Sequence, residues 1–147
     1  MYDEKDVHTR VKLIEDIDGN KGIPPVYATD GSACADVTCP CDVKIPPHKP
    51  YLIDLLLQLD IPSGLKVIMY PRSSLLIKKG LMSPTSIIDP DHKDNIHVPL
   101  FNVTDSPVII KKGERIAQIE AVPRYHTVDW FQNNAKRYGG FGSTGER

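Results

Sequence analysis

Two separated clusters carry residue types suited to binding phosphate. In Pro71-Arg72-Ser73-Ser74, a guanidinium and two hydroxyls precede an apolar run that ends at Gly80. That arrangement places them at the start of a helix, where unpaired backbone N–H groups already favour an anion. Near the C-terminus, Arg137, Gly139, Gly140, Gly142, Ser143 and Thr144 surround one aromatic residue, Phe141. Glycine-rich backbone wraps phosphates, hydroxyls and arginine bind their oxygens, and a ring stacks on a base. A third cluster is acidic: Asp89, Asp91, His92 and Asp94 gather beside Pro90 within Ser86 to Asn102. Read locally, its carboxylates serve either ordinary turn chemistry or a reaction centre.

The elements that must position these clusters are short. Thirteen prolines and ten glycines in 147 residues punctuate the chain too often for long helices. Strands are expected at Val11 to Ile14, Val43 to Ile45, Tyr51 to Asp60, from Leu65 through Met69, at Val108 to Ile110 and at Arg115 to Val122. Tyr51 to Asp60 is apolar on both faces, as a strand buried between sheets or subunits would be. In the last strand Ala117, Ile119 and Ala121 face one way, and Gln118 and Glu120 the other. Ile87-Ile88 and the alternating Ile96, Val98 and Leu100 frame the acidic turn as a hairpin. The one helix runs from Ser74 to about Lys79, capped by the serine-rich segment before it and closed by Gly80. The expected class is all-β, a barrel or sandwich with one short helix. Residues 1–136 are expected to form this β domain and 137–147 an arm that is flexible by composition, its glycine, serine and arginine residues either binding phosphate and base or simply solvated.

Net charge is −1, so no global positive field draws in nucleic acid or anionic lipid, and any polyanionic ligand must be held locally. No apolar run approaches ~20 residues, and the N-terminus lacks a signal-peptide pattern, so the expectation is a soluble cytoplasmic protein without membrane or direct nucleic-acid partners. Three cysteines, Cys34, Cys39 and Cys41, lack a second ligand pair at zinc-finger spacing. They read as reduced thiols lining a strand pair.

In this order, the segments resemble the five motifs of the trimeric dUTPase family, across nearly the whole chain. Ala28-Thr29-Asp30-Gly31-Ser32-Ala33 with Asp36 matches the first motif, and Pro71 to Leu75 the second. Ile88-Asp89-Pro90-Asp91 matches the core of the third, Lys112 to Gln118 the fourth, and Arg137 with Gly139 to Gly145 the fifth. The resemblance implies a jelly-roll β-barrel, assembled as a homotrimer whose active sites are shared between subunits. The implied reaction is hydrolysis of dUTP to dUMP and pyrophosphate, assisted by Mg²⁺ bound mainly through the triphosphate. Carried over residue by residue, Asp89 would orient the attacking water, with Gln118 near that water and the α-phosphate. Ser73 would contact the oxygen between α- and β-phosphates, with Ser74 beside it, and Arg72 and Arg137 would brace or neutralise phosphate. Asp36 would reach Mg²⁺ through water. Phe141 would stack on the base, and Gly142, Ser143 and Thr144 would hold the outer phosphates.

The third motif departs from the family pattern. The approach from Met82 to Ser86 is short and lacks a clear asparagine. His92 stands where the family has a sugar-packing tyrosine, and Asp94 replaces a glycine. Phosphate and water chemistry are retained, whereas base and sugar selection are altered. Three readings follow: a dUTP diphosphatase with a variant pocket, a related deoxynucleoside triphosphate pyrophosphatase, or a non-catalytic family member that binds nucleotide or a partner.

Overall fold

Short alternations of apolar and polar residues, cut by proline and glycine turns, produce eleven strands and one helix among residues 7–128, which the computed structural model describes. In order they are β1 (Arg10–Leu13), β2 (Ala35–Thr38), β3 (Val43–Ile45), β4 (Pro50–Asp54), β5 (Leu57–Asp60), β6 (Leu65–Pro71), α1 (Ser73–Lys79), β7 (Leu81–Met82), β8 (Ser86–Ile88), β9 (His97–Asn102), β10 (Val108–Ile110) and β11 (Arg115–Pro123). All pairings between strands are antiparallel. They form one four-stranded sheet, β2-β11-β6-β8, one three-stranded sheet, β4-β9-β7, and the pairs β1-β5 and β10-β3. The sheets enclose one core, to which Val37, Ile45, Leu57, Val67, Val98 and Ile116 contribute side chains no more than 1% exposed. Removing three carbons there leaves a cavity, so Leu57→Ala should cost about 2–5 kcal/mol. Chemical denaturation at fixed chain concentration measures it.

Three expectations are corrected. Tyr51 to Asp60 is not one strand but two, which join different sheets. The chain breaks at Leu56, which takes a left-handed φ of 55° although it is buried. Asp54 Oδ1 accepts the Leu56 N–H at 2.8 Å, and the Leu56 carbonyl accepts from Ile14 N at 2.9 Å. An Asx-type turn therefore overrides the uniform apolar pattern. Gly22 packs so close to that carbonyl that a Cβ there would overlap it.

The acidic turn is not a paired hairpin either. Its flanking strands part: β8 pairs with β6, and β9 with β4 and β7, so the segment crosses from one sheet to another. Alternating apolarity describes both arrangements equally, because it fixes which side chains are buried and not which strand lies alongside.

Finally, α1 is not capped by serine. Arg72 takes the N-cap position in extended conformation, with no side-chain cap hydrogen bond, and the helix begins one residue early at Ser73. Gly80 does close it, at φ 68°, with its N–H donated to the Leu76 carbonyl at 3.0 Å. Residues 137–147, and with them the reading of a terminal arm, lie outside the described residues.

Candidate active site

Strand register places the first, second and fourth motifs together. Gln118 on β11 lies opposite Asp36 on β2 on one side and Tyr70 on β6 on the other. Alternation along β11 sinks Ala117 and Ile119 into the core and leaves Gln118 half-buried on the opposite face, and a register shift between Arg115 and Ala117 lets the adjacent Ile116 be buried as well. Ala121, expected with the inward set, is exposed near the end of the strand. Backbone pairing holds Asp36 on both edges, since Val26 and Asp36 also exchange N–H donations at 3.0 and 2.8 Å.

Three side chains lock this end of the sheet. Gln118 Nε2 donates to the Pro71 carbonyl at 3.1 Å, fixing the amide beside the second motif. Arg72 Nη1 donates to the Arg115 carbonyl at 3.2 Å, and its Nε lies 3.7 Å from Asp36 Oδ1. Arg115 Nη1 reaches Asp36 Oδ2 at 3.4 Å. The Asp36 carboxylate, 15% exposed, thus sits between two guanidinium groups. Arg115 belongs to the fourth motif, but its part in holding Asp36 is missed by sequence reasoning, because 79 positions separate them.

Ser73 and Ser74 follow Arg72 directly, and capping does not engage their hydroxyls. The helix that carries them is tied to the fourth motif from its far end. Lys79 Nζ donates to Glu114 at 2.8 and 3.0 Å and to the Ile109 carbonyl at 3.1 Å. Burial works against the Glu114 charge. The hydrogen bonds from Lys79 and from the Lys111 N–H prevail, however, and bring its pKa below the ordinary glutamate value. One rung along the polar face of the sheet, the Tyr70 hydroxyl donates to Glu120 at 2.6 Å. This bond, helped by burial, raises the tyrosine pKa.

The third motif stands elsewhere. Ile88 pairs with Val67, so Asp89 leaves the sheet beside Lys66, at the opposite end of β6 from Arg72. The six residue steps from Lys66 to Arg72 span about 20 Å of extended chain. Asp89 and His92 are half-buried in a turn of their own, closed by His92 N donating to the Asp89 carbonyl at 3.1 Å. Among the predicted site residues, the structure therefore gathers Asp36, Arg72, Ser73, Ser74 and Gln118, and sets Asp89 and His92 apart. Arg137, Phe141, Gly142, Ser143 and Thr144 fall outside the described residues.

No cluster of three or more histidine, cysteine or acidic side chains suited to a metal occurs among the described residues. Asp36, paired with Arg72 and Arg115, offers one partly exposed carboxylate and no protein cage, so a cation there would have to bring water or phosphate as its main ligands. The three cysteines are free, and burial pushes the Cys39 thiol up to about 11, far from a metal-binding thiolate.

Barrel and polar cluster together define a jelly-roll β protein with arginine, glutamine and carboxylate side chains gathered at one end of a sheet. The family model described as dUTPase matches residues 20–145. The deoxyuridine 5'-triphosphate nucleotidohydrolase of Hydrogenobaculum sp. (strain Y04AAS1) is 39% identical over 128 residues, spanning 82% of this chain and 89% of the relative. The chain belongs to the dUTPase family. Among solved structures, the Staphylococcus bacteriophage 80alpha dUTPase superposes with a TM-score of 0.73 at 22% identity, covering 89% of this chain and 99% of that one. A mutant of that phage enzyme has been solved with dUpNHpp. The dUTPase from phage phi11 of S. aureus, solved as a mutant that reveals coordination of a structural Mg(II) ion, superposes with a TM-score of 0.71 at 19% identity, covering 87% of this chain and 97% of that one. These likenesses establish the jelly-roll fold of the dUTPase family. No helix among the described residues is long and apolar enough to cross a membrane.

Proposed function

We propose that the protein hydrolyses dUTP to dUMP and pyrophosphate at sites assembled between copies of the chain, in a cytoplasmic homotrimer. The observation that carries this reading is the convergence of Asp36, Arg72, Arg115 and Gln118 at one end of the four-stranded sheet, with Ser73 and Ser74 alongside. Guanidinium and hydroxyl groups there suit a polyphosphate, and the locked geometry needs little reorganisation as charge develops.

In the proposed reaction a water oxygen attacks the α-phosphorus while the Asp89 carboxylate takes a proton from it. The bond from that phosphorus to the α–β bridging oxygen breaks, and pyrophosphate leaves with the electron pair. Ser73 donates a hydrogen bond to the bridging oxygen as its charge grows. Arg72 neutralises phosphate charge, and Gln118 orients the water and the α-phosphate oxygens. Asp36 would face Mg²⁺ through water, and the ion, when bound, supplies charge neutralisation on the phosphates. Arg137, Phe141, Gly142, Ser143 and Thr144 are assigned to the base and outer phosphates.

Such a reaction needs Asp89, Gln118 and Arg72 within reach of one phosphorus, yet along β6 the rung beside Asp89 lies about 13 Å from that of Gln118 and about 20 Å from Arg72. Asp89 of one copy therefore completes the cluster of another. Exposed apolar side chains on β4, β7 and β9, including Leu52, Met82 and Phe101, supply surface that assembly could bury.

His92 offers less apolar area under the sugar than tyrosine. We therefore expect dUTP to be the best substrate but discrimination against UTP to be weaker than in a tyrosine-bearing enzyme. Comparing kcat/KM for dUTP, UTP, dCTP and dTTP, with pyrophosphate release as readout, tests both statements. Preference for another deoxynucleotide would favour a related pyrophosphatase. Binding without pyrophosphate release would favour a non-catalytic role.

A further inference from the structure

The turn bearing Asp89 and His92 is braced from behind by a polar cluster to which the proposed chemistry gives no part. Asn95 ends that turn, and its amide bridges strands of two different sheets. Its Nδ2 donates to both carboxylate oxygens of Asp54, at the end of β4, at 3.2 and 3.1 Å. Its Oδ1 accepts from Gln58 Nε2 on β5 at 2.9 Å. Its backbone carbonyl lies 3.1 Å from His97 Nδ1 and 3.4 Å from His92 Nε2. Asp54 is fixed in turn, since Oδ1 accepts the Leu56 N–H at 2.8 Å and Oδ2 lies 3.7 Å from His97 Nε2. The two turns meet here: the left-handed break at Leu56 presents Asp54, and Asp54 holds Asn95.

An asparagine with three side-chain hydrogen bonds to two fixed partners has few alternative placements. The backbone it anchors begins three residues after His92 and six after Asp89. We propose that Asn95, anchored by Asp54, is a positioning residue for this turn: it sets Asp89 for attack on the phosphorus and His92 for selection of the sugar. The inference rests on the proposed hydrolysis of dUTP. Neither Asn95 nor Asp54 touches substrate in it, and both act through the turn.

An isosteric exchange isolates the effect. Asn95→Asp places a second carboxylate against Asp54 and removes the donor without changing side-chain volume. It should cut kcat/KM for dUTP by roughly ten- to a hundredfold, as small misplacements of reacting groups do. It should also narrow the ratio of dUTP to UTP kcat/KM. Combining Asn95→Asp with Asp54→Asn reverses the direction of the hydrogen bond and keeps an acceptor for Leu56 N. This double variant should recover both the rate and the ratio. A single variant with a lowered Tm but unchanged kcat and substrate ratio would show a merely structural contact and overturn the proposal. So would a double variant that regains Tm but not the ratio. Wild-type turnover is the control that separates the two levels. Turnover with an unmoved variant overturns the role of Asn95 alone, whereas no wild-type turnover of dUTP overturns the parent reading and this role with it.

Discussion

Replacing Asp89 with asparagine is expected to lower dUTP turnover by roughly 10²–10⁴-fold, the range for loss of a positioned general base. The substitution keeps shape and hydrogen-bonding capacity but removes the basic oxygen, so nucleotide affinity should change little. Asp89 sits half-buried in a short turn outside the sheet, and the substitution is isosteric, so the unfolding midpoint should move little as well. Single-turnover hydrolysis and equilibrium binding, measured on one preparation, separate the two effects. Full turnover in Asp89→Asn would remove this residue from the chemistry.

Arg72→Ala should be nearly as damaging for a different reason. Its guanidinium lies 3.7 Å from Asp36 and donates to the Arg115 carbonyl, so its loss would remove the positive charge proposed to face phosphate and also loosen the carboxylate between the two arginines. A loss of about 10²–10³ in kcat/KM is the scale for one electrostatic contact to developing phosphate charge. Arg72→Lys should recover little of it, because an ammonium cannot serve Asp36, the Arg115 carbonyl and a phosphate oxygen with one planar fork. The Arg72–Asp36 pair is partly exposed, so its stability contribution should stay small. Steady-state kinetics of the two variants beside wild type measures the contrast.

Much of this site was legible in the chain because its parts are local. Alternation of Ala117 and Ile119 with Gln118 set the direction of the glutamine before any partner strand was known. Likewise, Gly80 marked the end of the helix through a backbone conformation that glycine adopts freely. What could not be read were the encounters between distant segments. Tyr70 meets Glu120 across 50 positions, and Arg115 meets Asp36 across 79. The break at Leu56 was hidden for a related reason: leucine carries no turn signal, and the group that shapes the turn is the neighbouring Asp54. The acidic turn marks the sharpest limit. Its residues named a candidate reaction centre, yet only the pairing of Ile88 with Val67 shows that Asp89 leaves the sheet at the end of β6 away from Arg72.

That separation is the central claim, and mixed assemblies test it directly. Chains carrying Asp89→Asn and chains carrying Arg72→Ala, each nearly inactive alone, are unfolded together and refolded at a one-to-one ratio. If each site joins Asp89 of one copy to Arg72 and Gln118 of another, random closed assembly should restore about a quarter of the wild-type rate, the share of neighbour pairs with both groups intact. Activity no greater than the sum of the two separate variants would mean that one chain supplies both groups, and would contradict the shared site.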